Sequence, residues 1–393
     1  MENTIEDRIH IAVDATPIAM GGGLVVLLNY LRQWRAARPR ARLTVLAWRP
    51  EVLEAVRKIE GLEVVPLGEG RGQMQAYLWR LYRLPRILNS LGPDVVLAHN
   101  ALVRGCRAPQ VVLYQGQWPL IRIYFWRWVR RVGVGGAVKI WARHRVTLTA
   151  LRKAACNVFI SRSLREQARC FEPDSLDRNF VVYNGVRRPE NFEELALTQP
   201  DRPREPLLFA LQHSLANMVH PYKESATLMA AFATCRRMRP DVPWHLEIVG
   251  RGGLALERQL ARQWGVMDAV DFVDYYPVPE LYARLQRALC LVFPSVMEGF
   301  GLPPLEAMVN GTPVVVADSS AMPEVVGEAG LVVRARDPEA FARAIILLYE
   351  NPQERARYVR AGLERARRFD WATSARELFD LLVRHAGQAA RKP

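Results

Sequence analysis

The sequence predicts an α/β protein of two parallel-sheet domains, and three observations carry that expectation. The chain has 393 residues, half of them apolar, which exceeds the size at which a single hydrophobic core stops growing. Short β-branched runs alternate with helical stretches in two series, the signature of βαβ units. Between the series lies Arg187 to Pro206, rich in charge and proline and without periodicity, which reads as a connection rather than as an element.

The first series comprises Ile9 to Val13, Leu43 to Ala47, Val64 to Leu67, Val95 to Ala98, Val111 to Tyr114, Val158 to Ser161 and Val181 to Tyr183. The second comprises Leu207 to Leu211, Leu246 to Val249, Val270 to Val273, Leu289 to Phe293, Val314 to Ala317 and Leu331 to Val333. From Pro338 the pattern is helical to about Ala390, with an interruption near Phe369 to Trp371. The expected division is a first domain over 1–188, a linker over 189–205 and a second domain over 206–370. Residues 371–393 are available to pack back onto the first.

Composition removes several function classes. Apolar runs such as Ala15 to Leu31 are broken by Pro17, Gly21 to Gly23 and Asn29, short of the ~20 residues a spanning helix needs. Glu2, Glu6, Asp7 and Arg8 precede the first apolar run, unlike the basic-then-apolar layout of a secretory signal, so a cytoplasmic protein is expected. Cys106, Cys156, Cys170, Cys235 and Cys290 form no CxxC and no Cys/His cluster, which argues against a disulfide framework or a zinc site. No Asp-x-Asp follows a strand in a form suited to a metal held against a diphosphate, and Asp271 and Asp274 flank an apolar strand end. Neither a metal nor a cofactor is expected, and no Ser/His/Asp or Cys/His constellation argues for a covalent intermediate.

The net charge of +14 is uneven. Residues 1–200 hold 30 Lys and Arg against 17 Asp and Glu, while residues 201–393 hold 24 against 23. Thirteen basic residues fall between Val95 and Arg165, with no acid between Asp94 and Glu166. Trp118 to Leu151 interleaves Tyr124, Phe125, Trp126, Trp128 and Trp141 with Arg122, Arg127, Arg130, Arg131, Lys139, Arg143 and Arg145. Basic residues beside aromatic rings suit an anionic membrane surface. A solvated basic face over an aromatic core also fits, and no nucleic-acid-binding module accompanies the segment, so no nucleic-acid partner is expected.

The segment with the most chemistry runs from Phe293 to Ala317, FPSVMEGFGLPPLEAMVNGTPVVVA. A strand delivers the chain to Glu298-Gly299-Phe300-Gly301, Pro303 and Pro304 open a helix, and Gly311 can close it. Glycines let backbone approach a ligand, and the positive end of a helix favours phosphate. Glu298 on the loop and Glu306 in the first turns of the helix can face one crevice, where carboxylates suit the hydroxyls of a polyol. Spacing alone also admits a common glycine loop and a solvated Glu306.

This segment resembles the Glu-x7-Glu signature of the retaining GT-B glycosyltransferases of family 4. The likeness extends to Val181-Val182-Tyr183-Asn184-Gly185-Val186, Ile248-Val249-Gly250-Arg251-Gly252, Val270 to Pro277 and Leu281 to Pro294. It spans the C-terminal half and is looser in the N-terminal half. The resemblance implies a GT-B fold, two Rossmann-like domains facing each other across a cleft, and a nucleotide-sugar donor. It assigns Glu298 to the donor sugar and Glu306 to the nucleotide ribose. The backbone of Gly299, Phe300, Gly301 and Leu302 would line the sugar and phosphate, with Gly250, Arg251 and Tyr276 also on the donor side. Lys223, in His220-Pro221-Tyr222-Lys223, matches a position that neutralises the donor's pyrophosphate, so Lys223 and Glu298 are the expected catalytic pair. Relatives often place an arginine a few residues earlier, where Leu215 to Val219 holds none; His213 or His220 could compensate.

On the acceptor side, Gly21, Gly22 and Gly23 resemble the family's glycine-rich phosphate loop, and Asn184 falls in the strand that ends the first domain. Gln115 stands where many relatives carry a histidine; it can orient a hydroxyl but cannot titrate. The implied reaction retains anomeric configuration, needs no metal, and transfers a sugar to a glycan or lipid-linked glycan during polysaccharide or lipopolysaccharide assembly, at the inner face of the cytoplasmic membrane. A sugar-nucleotide epimerase or phosphorylase of the same fold remains open, as does a non-catalytic basic protein binding glycan or nucleic acid.

Overall fold

In the computed structural model, the described residues are 8–18, 21–68, 79–116, 141–142, 144–211, 221–250 and 253–389. The chain divides into two units, residues 1–185 with 371–393, and residues 186–370.

The first unit is built on a seven-stranded parallel sheet of order β3-β2-β1-β4-β5-β6-β7. Its strands are β1 His10–Asp14, β2 Arg42–Ala47, β3 Glu63–Pro66, β4 Val95–His99, β5 Gln110–Tyr114, β6 Cys156–Phe159 and β7 Asn179–Val181. The inner strands are apolar almost throughout because helices cover both faces of a parallel sheet. All five residues of β1, β4 and β5 are buried, whereas the edge strand β3 is half exposed. Ile11 pairs with Leu43 on one side and with Val95 on the other.

The C-terminal helix Trp371–Ala389 belongs to this unit and packs on helix Gly22–Ala37. Trp34 is 2% exposed and donates its indole N–H to the Ala375 carbonyl at 2.7 Å. Tyr30 stacks on Trp34 and meets Trp371 edge-on, both at 5.6 Å between centroids. Gly185 lies so close to Trp371 that a Cβ there would overlap the Trp371 backbone nitrogen and ring. Glycine is thus required where the two segments pass.

The second unit carries a six-stranded parallel sheet of order β10-β9-β8-β11-β12-β13. Its strands are β8 Leu207–Leu211, β9 His245–Val249, β10 Val270–Val273, β11 Cys290–Phe293, β12 Val314–Ala317 and β13 Leu331–Val333. Helices Ser225–Met238 and Pro338–Glu350 cover one face, with Leu228, Phe232, Phe341 and Ile345 at most 1% exposed. Burying each such side chain contributes about 1.5–3 kcal/mol.

Three expectations need correction. Residues 189–205 are not a free linker: they lie in the second unit and contain helix Phe192–Thr198, whose Phe192 and Leu195 are buried. Arg204 holds this stretch, reaching the carbonyls of Gln286 and Gly311, so charge and proline here mark an ordered connection. The unit boundary falls after Gly185 rather than after residue 188. The helical tail also breaks once more than expected. Asn351 accepts from Glu354 N at 3.2 Å and Pro352 starts a new helix, Pro352–Arg367, a cap and an N-terminal proline working together.

Candidate active site

In the second unit, β8 and β11 are neighbours in the sheet, Cys290 facing Leu208, yet the chain leaves them in opposite directions, toward β9 and toward β12. Such a switch in strand order opens a crevice beyond the strand C-termini, the usual ligand position in an open α/β sheet. Lys223 reaches it from the segment after β8, in the short helix Pro221–Lys223, and Glu298 from the segment after β11.

The two side chains meet. Lys223 Nζ donates to Glu298 Oε1 at 2.6 Å, with side chains only 14% and 17% exposed. The ammonium sits 4.8 Å from the Phe293 ring centre and 5.4 Å from that of Tyr222, an aromatic setting that favours a cation. Ser295 Oγ lies 2.8 Å from Glu298 Oε1 and 3.2 Å from the Tyr222 carbonyl, so its single proton serves one of the two acceptors. Glu298 N donates to Ser320 Oγ at 2.9 Å, and Val296 N to the Tyr222 carbonyl at 2.8 Å. Ser320 holds φ +53°, uncommon for a residue with a Cβ. The loop carrying Glu298 is therefore tied to the segments after both β8 and β12.

Gly301 precedes helix Leu302–Val309 at φ +109°, and a Cβ there would overlap Met322 Cε. Pro303 and Pro304 have no N–H, so this helix end offers fewer amide donors than a helix N-terminus ordinarily does. The amide donors that remain at this end are those of the glycine loop and of Leu302. Phe300 is 3% exposed and meets Phe369 edge-on at 5.7 Å, so its ring anchors the loop.

Glu306 lies in the second turn of that helix, partly buried, and no hydrogen bond is formed by its carboxylate among the described residues. Burial pushes this carboxyl up to about 7. The nearby Tyr282 phenol is pushed up to about 12, by burial first and then by the Glu306 charge. Gly250 is buried and donates its N–H to the Val273 carbonyl. The Tyr276 ring centre lies 5.1 Å from the Arg284 guanidinium, which in turn donates to Glu247 Oε2 at 3.0 Å. Arg251, His213, His220 and the Leu215 to Val219 stretch lie outside the described residues.

The other candidates sit in the first unit. Gly21, at φ +109°, precedes helix Gly22–Ala37, whose first turn holds Gly22 and Gly23. A Cβ on Gly23 would come within 3.1 Å of Gln115 Oε1. Gln115 N donates to Asn100 Oδ1 at 3.2 Å, and Asn184 is 1% exposed. Of the basic and aromatic segment, residues 117–140 and 143 lie outside the described residues. Trp141 is 57% exposed, with Arg145 over its ring at 6.0 Å.

The sequence reading missed Ser295 and Ser320, which fix Glu298, because a lone serine in a loop carries no pattern. It also missed Asp14, wholly buried at the end of β1 and paired with Arg80 at 2.7 Å; an acid closing an apolar strand was the available signal. Among the described residues, no three His, Cys, Asp or Glu side chains group closely enough to hold a metal ion. Nor is any helix among them long and apolar enough to cross a membrane.

Comparison with known proteins bears on both units. The model of the family glycosyltransferase family 4 matches residues 20–188, and that of glycosyl transferases group 1 matches residues 213–351. A D-inositol 3-phosphate glycosyltransferase of Corynebacterium glutamicum is 33% identical over 172 residues, 42% of this chain and 41% of that protein. O-antigen chain mannosyltransferase B of Escherichia coli is 36% identical over 136 residues, 35% of this chain and 32% of that protein. These matches thus span less than half the length of the curated relatives. Anabaena HepE, solved in complex with UDP and glucose, superposes with a TM-score of 0.68 at 18% identity over 95% of this chain and 99% of that chain, and sucrose-phosphate synthase from Thermosynechococcus elongatus with a TM-score of 0.68 at 18% identity over 95% and 98%, a likeness of fold.

Proposed function

This chain belongs to glycosyltransferase family 4, and on that premise we propose that it transfers a sugar from a nucleotide-sugar donor to a glycan or lipid-linked glycan, with retention of configuration and without a metal. The observation that carries the reading is the Lys223–Glu298 pair at the switch between β8 and β11.

In the ligand-free protein each charge neutralises the other. A donor pyrophosphate competes for Lys223, and the released Glu298 carboxylate accepts hydrogen bonds from sugar hydroxyls. The bond from the anomeric carbon to the phosphate oxygen then breaks while one to the acceptor oxygen forms on the same side. The acceptor's hydroxyl proton passes to the departing phosphate. Lys223 is worth most at that moment, because negative charge grows on the leaving nucleotide beside it. Glu306 accepts from the ribose hydroxyls, with Gly250 and Tyr276 on the side of the base.

Support for a nucleotide-sugar donor comes from HepE, whose structure holds UDP and glucose. The mannosyltransferase that acts on O-antigen chains supports a cell-surface glycan as acceptor. The basic excess of residues 1–200 supports placement on an anionic membrane surface. Co-sedimentation with anionic vesicles that weakens as salt rises checks that placement, and none at low salt removes it.

The test of the main reading is a screen of UDP-, GDP- and ADP-sugars for thermal stabilisation, since a ligand of the folded state alone raises its apparent stability. Turnover of the stabilising donor is then followed in EDTA. Release of nucleoside diphosphate that requires an acceptor is the expected result. Conversion of the donor without any acceptor would identify an epimerase, and loss of turnover that metal restores would remove the metal-independent chemistry.

A further inference from the structure

Among the described residues of the second unit, three non-glycine residues hold positive φ: Glu224 at +53°, Ser320 at +53° and Arg336 at +60°. They stand in the segments that follow β8, β12 and β13. Glycine takes that conformation freely, whereas other residues adopt it at a cost in free energy and persist there only where their surroundings over-determine it. Ser320 is held by the Glu298 amide, which donates to its hydroxyl at 2.9 Å. Glu224 and Arg336 hold each other.

Arg336 Nε donates to Glu224 Oε1 at 2.8 Å, and Thr227 Oγ1 donates to Glu224 Oε2 at 3.2 Å. The Arg336 side chain is 45% exposed and that of Glu224 only 11%. The pair joins the starts of two helices that pack on each other, Ser225–Met238 and Pro338–Glu350. Neither helix needs it as a cap. Asp337 Oδ1 accepts Ala340 N at 3.0 Å, the Glu224 carbonyl accepts Leu228 N at 3.0 Å, and Ser225 Oγ donates to the buried Glu257 at 2.7 Å. What the pair adds is a fixed direction of entry into the first of these helices.

The residue that enters there is Lys223. On its other side the Tyr222 carbonyl accepts Val296 N at 2.8 Å, so the lysine is bracketed by a tie to the Glu298 loop and a tie to the segment after β13. Glu224 is also a carboxylate next in sequence to that ammonium, and a rival for its charge. Both of its oxygens are engaged, one by a charged donor, and Lys223 bonds Glu298 instead. We infer that the Glu224–Arg336 pair is a clamp that positions Lys223, fixing the left-handed turn beside it and holding the Glu224 charge away from its ammonium. The inference rests on the glycosyltransferase reading, in which Lys223 meets the donor pyrophosphate. Glu224 and Arg336 are positioning residues that act through Lys223, and no contact with the donor is assigned to either.

The test is steady-state kinetics, with the nucleotide sugar that the wild type uses, on Glu224→Gly and Arg336→Gly, each alone and in the Lys223→Ala background. Glycine accepts either backbone conformation, so the losses read the side chains and not strain. Each single variant should lower kcat by about tenfold and move the donor KM less, because Lys223 counts most as charge grows on the leaving phosphate. In Lys223→Ala neither change should lower kcat further, since nothing is left to position. Arg336→Lys should keep more activity than Arg336→Gly by retaining a charge opposite Glu224. Should Glu224→Gly fail to fold by circular dichroism, Arg336→Gly, at a half-exposed site, decides alone. An equal loss in both backgrounds marks a merely structural tie and overturns the clamp while leaving the glycosyltransferase reading intact, as does wild-type kcat in Arg336→Gly. A wild-type chain that turns over none of the UDP-, GDP- and ADP-sugars removes that reading and the clamp with it.

Discussion

At the switch between β8 and β11 the polar groups bond one another, Lys223 to Glu298 at 2.6 Å with Ser295 at 2.8 Å, while at the switch between β1 and β4 the Nε2 atoms of His99 and Gln115 have no hydrogen-bond partner among the described residues. The same topological feature is thus finished in two ways. A ligand at the first must displace an existing ion pair, so its charge has to compete with Glu298 for Lys223. The glycines show a parallel contrast. Gly301 and Gly21 both sit at φ +109°, but a Cβ on Gly301 would overlap Met322 while nothing lies within 4 Å of one on Gly21.

The largest expected effect breaks the ion pair. Lys223→Ala should lower turnover of the nucleotide sugar by about 10²–10³-fold, and Lys223→Arg by less, since the charge beside the leaving phosphate is what the transition state uses. Steady-state kinetics of the two variants checks this. Full activity in Lys223→Ala would show that the pair is structural and that the two switches differ for another reason.

The glycine contrast is next in size. Gly21→Ala should cost about 1–3 kcal/mol, from backbone strain alone. Gly301→Ala should add about 1–3 kcal/mol for overlap with Met322. Denaturant unfolding of both variants measures the difference. A cycle with Met322→Ala isolates the overlap, because residues in contact give a coupling energy that distant ones do not. Equal losses at the two glycines would show that the site loop relaxes freely.

The smallest effect concerns Glu306. Its carboxyl, at about 7 in the folded protein, lies above the unfolded value near 4.3. The folded state therefore binds more protons between those values, and ligand-free stability falls as pH rises from about 4.3 to about 7, then levels. Glu306→Gln should remove that fall, worth roughly 1–2 kcal/mol at pH 8 after allowing for solvent. Nucleotide affinity should run the other way in the wild type, rising with pH through 7 as the carboxylate forms, and should be flat in Glu306→Gln. Titration calorimetry with UDP at pH 6 and 8 reads both. A flat wild-type profile would mean that the ribose is held elsewhere.

Much of the fold was legible because parallel strands buried on both faces are written as short apolar runs. Each of the thirteen strands among the described residues overlaps an expected run, such as Val314 to Ala317, which matches its strand, or Val181 to Tyr183, which touches Asn179–Val181 by one residue. The Glu298 loop and its helix were legible as well, since glycine and proline signal their own backbone demands. The stretch 189–205 misled because charge and proline also occur in ordered connections once a group such as Arg204 reaches the carbonyls beneath.

Local chemistry along the chain therefore determined which segments are strands, where the glycine loop lies and which carboxylates to watch, and the family resemblance added the lysine. Only the tertiary structure decided which of these meet. Lys223 and Glu298 are 75 positions apart and touch because β8 and β11 are adjacent in the sheet order. Trp34 and Ala375 are separated by 341 positions and bond because the chain returns to the first unit after Asp370. His99, one residue past the expected run Val95 to Ala98, ends β4, and its Nδ1 meets the Asp14 carbonyl because β1 and β4 are adjacent in the sheet order. The physical reason is common to all three: hydrophobic patterning specifies the face that a segment buries, but not the order in which strands pair, and that order sets which polar groups are left to satisfy one another.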